Sequence, residues 1–322
     1  CFTDAGVNIQ FRSTDPLLWR KGCEGLRYFP VDYSHAMIDY QIAYHASGEN
    51  GLAFDLSAIL MHDNAPCAIW PLFLIMDGYG KHQISSNGQS LLNPEFGESI
   101  SGKLVRSMSG ICIQVVKAMA QYLRIDSLIS ESGFRGCPGL DDWHDKLLRE
   151  GASASIKHEM YLDLTPELTA IKSGFRKSYK SLINSGSKLW QVEVMSDANL
   201  EMWDEFKDLH RVVAGKITRS DESWELQHAA ISSGDAFFVG LRDSGGRVVG
   251  GGLFHATCDE GSYAVGAYDR SLFDKPLGHV VQYRAIEELK KRGVRWYKLG
   301  TRHYPGEIPA ATDKEIGRAS CR

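Results

Sequence analysis

Between Tyr161 and Gly186 the chain reads YLDLTPELTAIKSGFRKSYKSLINSG: a short apolar strand, a turn, then a helix that becomes basic at Arg176, Lys177 and Lys180, with Lys188 following. Ile171, Phe175, Tyr179 and Leu182 recur at helical spacing, so one face can pack while the cations stand off it. Cations gathered at one place on a packed helix suit an anionic group such as a phosphate. A solvated helix face uses the same residue types. Glycines give a second signal. Gly266 interrupts Ser262–Tyr268 (SYAVGAY), and a glycine inside a strand weakens it unless it marks a bulge or a close backbone approach. Gly250, Gly251 and Gly252 remove three side chains from another strand, so something large should lie against them: a substrate channel, or a neighbouring helix or Trp. Arg302 and His303 follow a strand at its C-terminal end, where α/β sites tend to sit, with a surface loop as the alternative. His45, His158, His255 and His279 have no partner at readable spacing and read as packed or surface histidines. No Ser-His-Asp or Cys-His set is legible, so covalent catalysis has no support.

The chain around these residues has 322 residues, enough for one large or two ordinary domains with real cores. Charged residues make up 24% and apolar ones 43%, an ordinary globular mix. A net charge of -4 argues against a generic DNA or RNA binder while leaving room for a local basic patch. The most apolar run, Cys67–Met76, is too short to span a membrane and reads as a buried strand. The cysteines are scattered, without a C-x-x-C pair or zinc spacing, and no signal-peptide pattern is present. A reduced, cytoplasmic setting without a structural metal is the expectation. The terminal EIGRASCR back-translates to a common sequencing-adapter read-through, so Ile316–Arg322 are expected not to be natural protein.

Periodicity places these residues on elements. In the first half a helix is expected over Ser34–Ser47. Leu52–Leu60 and Cys67–Met76 form a strand pair around HDNAP, and Gly78–Gly97 is a loop. A helix follows over Gly110–Leu123, then a strand at Ser127–Ser130 and a helix from Trp143 to Glu150 closed by Gly151. The second half adds a strand at Val192–Ser196, a helix behind Asp197 and a helix over Asp221–Ser233. Strands at Asp235–Arg242, Arg247–Thr257 and Ser262–Tyr268 come next, then a helix over Gly278–Arg292 closed by Gly293, and a strand at Val294–Leu299. Strand, two helices, three antiparallel strands, helix, strand is the core order of the GNAT acyltransferase fold. The first half gives a looser version of it. The expected architecture is therefore α/β (α+β), two tandem GNAT-like domains with mixed sheets flanked by helices. Residues 1–165 form a degenerate N-terminal domain and 166–315 a C-terminal one, with the boundary near Thr165.

In this order the chain resembles the Fem-type peptidyltransferases, the FemAB/FemX-like tandem GNAT proteins. Tyr161–Leu164, Phe175–Lys180 and Ile183–Gly186 look like that family's strand-to-basic-helix passage. Tyr263–Ala267 looks like its fourth strand. Pro276–Gly278, Tyr283–Ile286 and Lys291–Gly293 look like its following helix, and Leu299-Gly300 like its strand-ending motif. The likeness covers mostly residues 140–315. Lys298 departs from the acidic residue that often precedes Leu-Gly. Gly186–Val192 leaves no room for a coiled-coil arm, and the family's C-terminal ending is absent.

The resemblance implies transfer of an acyl or aminoacyl group to an amine of a cell-envelope building block. The donor is aminoacyl-tRNA or acyl-CoA, no cofactor is resident, and the partner is a phosphorylated or lipid-linked glycan or peptide precursor. Work at the inner face of a membrane, by peripheral contact, fits that role. The chemistry needs a neutral amine, an activated ester or thioester, and donors for the developing oxyanion. Gly266, Ala267 and Tyr268 are expected to form the acyl-binding edge, because in this fold that strand splays from the next. Arg176, Lys177 and Lys180 would hold phosphate, and Arg302 is a further substrate-binding candidate. Lys275 and Gly278 stand in the pyrophosphate-binding place of acetyl-CoA enzymes, where N–H groups at a helix N-terminus hold phosphate. Only one glycine and a basic first position survive there, which favours a bulkier donor. Tyr263 and Asp269 are the candidate proton-transfer residues. An acyl-CoA-dependent N-acyltransferase acting on an amino sugar, and a non-catalytic phosphoglycan-binding module, are the alternatives.

Overall fold

Local capping chemistry sets the helix starts. In the computed structural model, which describes residues 8–47, 51–135, 139–196 and 200–304, Asp15 follows strand β1 (Asn8–Phe11) and its carboxylate accepts from Leu18 N at 2.9 Å. With Pro16 in the first turn, this starts α1 (Pro16–Glu24). Ser34 caps α2 (His35–Ala46) in the same way, accepting from Met37 N at 3.2 Å. The expected helix start at Asp197 and the expected read-through at Ile316–Arg322 lie outside the described residues.

The two long apolar runs of the first half are each broken in two. Leu52–Leu60 supplies β2 (Leu52–Asp55) and most of β3 (Ala58–His62), while Cys67–Met76 falls in β4 (Ala65–Trp70) and β5 (Phe73–Met76). The β3–β4 hairpin turns on Asp63 and Asn64, both left-handed at φ 50° and 60°, the geometry of a two-residue hairpin loop. The loop expected over Gly78–Gly97 contains two further short strands, β6 (His82–Ser85) and β7 (Glu95–Phe96). One sheet runs β1-β3-β4-β7 and the other β2-β5-β6, so each apolar run feeds both. Then come α3 (Gly102–Tyr122) and α4 (Asp142–Arg149). The strand expected at Ser127–Ser130 is reduced to one bridge, Leu91 with Ser130. The Trp70 and Trp143 rings, both buried, meet edge to face at 5.7 Å in the core beneath α3 and α4.

Arg12 is buried and Arg135 part-buried in this unit, and carboxylates hold both. Arg12 donates to Asp55 (Nε to Oδ2, 2.9 Å) and Asp39 (Nη2 to Oδ1, 2.6 Å), with His35 Nδ1 at 2.8 Å from Nη1. Arg135 pairs with Glu95, with Asp141 at 2.7 Å and with the Asn93 amide oxygen. Pairing of this kind makes a buried guanidinium tolerable.

The second unit begins with β8 (His158–Asp163). It contains α5 (Leu168–Ser173), α6 (Lys177–Leu189), β9 (Gln191–Met195), α7 (Leu200–Ala214), the later part of α8 (Asp221–Ser232), β10 (Ala236–Arg242), β11 (Val248–Ala256), β12 (Glu260–Tyr268), α9 (Gly278–Lys291) and β13 (Trp296–Arg302). These strands form one six-stranded sheet, β8-β13-β12-β11-β10-β9, antiparallel except where β12 meets β13. The boundary falls after Ala154 rather than at Thr165, because β8 pairs with β13 along its whole length. Arg219–Leu226 groups with the first unit. There Arg219 Nε donates to Tyr40 Oη at 3.3 Å, with its guanidinium 5.6 Å from the Tyr44 ring centre and 5.5 Å from that of Trp224. The basic helix expected as one piece is two: α5 stops at Gly174 and α6 restarts behind Arg176. Among the described residues no helix is long and apolar enough to cross a membrane.

Candidate active site

The parallel ladder between β12 and β13 is short. It pairs Glu260 with Trp296, Gly261 with Tyr297 and Ser262 with Lys298, and among the described residues it ends there. Beyond that point β12 keeps its ladder to β11 and β13 keeps its ladder to β8, so the carboxyl ends of the two parallel strands part. Ala264 is an extra residue on β12: Phe254 opposes Tyr263 and Leu253 opposes Val265, a β-bulge beside the opening.

The bulge turns Tyr263 back along its own strand. A Cβ at Gly266 would stand 1.5 Å from Tyr263 Oη, and one at Gly252 would stand 2.7 Å from the same ring. Tyr268 lies likewise over Gly250, at 2.6 Å, and the two phenolic oxygens are 3.4 Å apart. Gly251 faces the other side, where Phe238 would be 2.3 Å away. The glycine stripe is thus filled by rings of the protein itself, not by a substrate channel. At Gly266, Tyr263 occupies the space a side chain would take.

After Tyr268 the chain turns toward α9. Asp269 Oδ1 accepts from Ser271 N at 2.9 Å and Ser271 Oγ at 2.6 Å, while Oδ2 accepts from Arg247 at 2.9 Å. The Ser271 bonds, then Arg247, hold its carboxyl below the usual aspartate range. Asp269 is therefore the cap of this turn, and its low proton affinity is opposite to what a general base needs. Lys275, Pro276 and Leu277 lead into α9, whose start has no side-chain cap. A Cβ at Gly278 would lie 3.7 Å from the Tyr268 ring, so the helix N-terminus adjoins the tyrosine pair. First-turn amides and the helix dipole favour an anion or a developing oxyanion at such an end.

Helix α6 is pressed against the same end. A Cβ at Gly186 would stand 2.4 Å from Val280 Cγ2 and 2.8 Å from Pro276 O, so only glycine permits the contact. Trp190 Nε1 donates to Pro276 O at 3.2 Å, and the Tyr179 and His279 rings meet edge to face at 4.8 Å. Burial lowers the His279 pKa, leaving it neutral near pH 7. Arg176 occupies the cap position of α6, and both it and Lys177 are exposed. Lys180 Nζ donates to Ser173 O at 3.0 Å, and Lys275 lies 6.0 Å over the Trp190 ring. Among the described residues none of these four cations is paired with a carboxylate. Arg302, exposed at the end of β13, stacks 4.7 Å over Tyr304, whose ring meets His158 at 4.8 Å. The structure thus groups Tyr263, Gly266, Tyr268 and Gly278 by contact and links α6 to Lys275 through Trp190. Arg302 makes its described ring contact elsewhere, with Tyr304.

Trp190 and the Tyr179–His279 pair are site elements that sequence reasoning missed. Trp190 ends α6 where the sequence shows only a lone aromatic before a strand, and its bond to Pro276 spans 86 residues. Among the described residues no group of three or more His, Cys, Asp or Glu could hold a metal ion.

Residues 173–306 match the family model described as an acetyltransferase (GNAT) domain. FemX is similar in structure, with a TM-score of 0.61 and 10% identity, covering 93% of this chain and 91% of its own. L-PGS from Bacillus licheniformis has a TM-score of 0.55 at 12% identity, covering 94% of this chain and 81% of that one. The C-terminal (DUF2156) domain of a lysylphosphatidylglycerol synthetase candidate from Agrobacterium fabrum has 0.52 at 12%, covering 88% and 78%. No curated protein matches the chain by sequence. At such identities the likeness is one of fold. The resemblance read from Phe175–Gly186 and Tyr263–Ala267 holds at that level and in the domain family of residues 173–306.

Proposed function

We propose that the protein, an acyltransferase of FemX-like GNAT fold, moves an acyl or aminoacyl group onto an amine of a phosphorylated or lipid-linked cell-envelope precursor. One observation carries this reading: β12 and β13 part beyond Ser262 and Lys298, beside an uncapped helix start and cations that have no carboxylate partner among the described residues. The acyl carbonyl lies in the opening, against the Gly266–Tyr268 edge. The amine nitrogen attacks the carbonyl carbon, the bond to the departing oxygen or sulfur breaks, and the proton lost by nitrogen ends on the leaving group. The negative charge that builds on the carbonyl oxygen is stabilised by donors already in place, which is where most of the rate arises. The Tyr263 and Tyr268 hydroxyls, 3.4 Å apart, are side-chain donors at that edge. Arg176, Lys177, Lys180 and Lys275 hold the phosphate of donor or acceptor, with Arg302 as a further contact.

The surviving Lys275-Pro276-Leu277-Gly278 sequence, with a single glycine, supports aminoacyl-tRNA over acyl-CoA as donor. Work at the inner face of a membrane follows if the acceptor is lipid-linked. The test is transfer of radiolabel from each donor into an amine-bearing phosphorylated precursor. Label that enters from aminoacyl-tRNA and is lost after RNase treatment supports the reading. Full activity with acyl-CoA alone moves the assignment to an N-acyltransferase of amino sugars, and binding without turnover from either donor moves it to a non-catalytic module.

A further inference from the structure

The first unit holds a hydrogen-bonded serine, histidine and aspartate that the sequence did not reveal. Asp141 caps α4, accepting from His144 N at 2.8 Å, and its Oδ1 also meets His144 Nδ1 at 2.8 Å. On the other side of the ring, His144 Nε2 lies 3.2 Å from Ser130 Oγ. A carboxylate on the Nδ1 side fixes the tautomer with its proton there, which leaves Nε2 as an acceptor facing the hydroxyl. Trp143 Nε1 donates to Ser130 Oγ at 2.9 Å, so the hydroxyl proton is directed toward acceptors. Two are in reach: His144 Nε2, and Leu91 O at 3.1 Å. Arg135, bound to Asp141 Oδ2 at 2.7 Å, keeps that carboxylate ionised and in position. Ser130 is half-buried and His144 is 9% exposed, so the imidazole of the relay is shielded from bulk water.

We propose that Ser130, His144 and Asp141 form a nucleophilic relay in which Ser130 accepts an acyl or phosphonyl group from an activated ester. Ser130 Oγ bonds to the electrophilic carbon or phosphorus as its proton passes to His144 Nε2. The bond to the leaving group breaks, and the leaving group takes that proton from the imidazolium, which Asp141 stabilises meanwhile. The amide that follows the nucleophile, Glu131 N, is engaged with Leu91 O at 3.0 Å. It does not serve an oxyanion there, so acylation is slower than in a site with that donor. An irreversible reagent, which accumulates its product, is therefore the right probe.

The full chain is treated with an alkyl fluorophosphonate, and the adduct is located by intact mass and peptide mapping. The expected result is one adduct, on Ser130, absent in Ser130→Ala and formed about 100-fold more slowly in His144→Gln. Circular dichroism and the thermal midpoint of each variant accompany the rates. No adduct on the folded wild-type chain overturns the proposal, whatever the variants do. An adduct on another residue overturns it too, as does an unchanged labelling rate in folded His144→Gln. In those cases the three residues are a buried tie between the Leu91–Ser130 bridge and α4. The transfer reaction of the second unit is read in a separate assay, so the two assignments fail independently.

Discussion

Two groups of cations, one in each unit, are used in opposite ways. In the first, Arg12 and Arg135 have side chains 5% and 21% exposed, and each is bound by two carboxylates. In the second, Arg176 and Lys177 stand in solvent at the start of α6 without a carboxylate partner among the described residues. Burial decides which role a positive charge takes. A buried guanidinium must be neutralised within the protein and becomes part of the structure. An exposed one without a partner retains its field for whatever anion arrives. Composition cannot separate the two, because each is an Arg or Lys in an amphipathic context.

The comparison is tested most strongly at Arg135. Replacing it with alanine leaves the part-buried carboxylates of Glu95 and Asp141 without their cation and should cost about 3 kcal/mol in denaturant unfolding. A loss below 1 kcal/mol would break the distinction between the two groups. The same network sets a pH dependence. Burial, against the pull of Arg135, pushes Glu95 up to about 7, whereas in the unfolded chain it titrates near 4.5. The folded state thus binds the extra proton between those values, and its stability should fall as pH rises from about 4.5 to 7, by at most about 3 kcal/mol. Glu95→Gln should flatten that slope. Asp141 works in the other direction. Burial raises its pKa, but the bonds from His144 and Arg135 outweigh this and hold it at about 2. Its contribution should be lost as pH falls from about 4 toward 2.

In the second unit the effects should fall on activity rather than stability. Gly266→Ala places a methyl where Tyr263 Oη now lies, and that ring, 36% exposed, can swing outward. Unfolding should change by under ~1 kcal/mol, while turnover falls by roughly 100-fold because the phenol is displaced by more than an ångström. Equal losses in both would make Gly266 structural. The smallest effect is expected at Lys177. Lys177→Glu should leave stability within about 0.5 kcal/mol and raise KM for a phosphorylated substrate by roughly 10-fold at low salt, a difference that shrinks as ionic strength rises.

Much of the second unit was legible because its signals are local. Apolar spacing marked the inward face of α9, and Gly293, at φ 78°, marks its stop as expected. The first unit was harder for a physical reason. Leu52–Leu60 and Cys67–Met76 read as continuous strands, yet each bends near its middle, where Ser57 N is held by Asp55 Oδ1 at 2.9 Å and Pro71 follows Trp70. The halves then pair in different sheets, and tertiary partners decide that. The short strands β6 and β7 carry too few residues to show a period. In the candidate site, Gly266 was legible as an anomaly and its occupant, Tyr263, was not, because a bulge at Ala264 sets the direction of that ring. Asp141 and His144 could be read as a helix start. Their link to Ser130 depends on the bridge to Leu91, which no local pattern announces.

The parting of β12 from β13 has a consequence for recognition. Each strand is zipped along its far flank, one to β11 and the other to β8, so the wedge is held from outside and exists before any visitor enters. On the proposed reading, an incoming carbonyl would meet backbone already fixed by its two outer neighbours, so its selectivity would rest on width and depth.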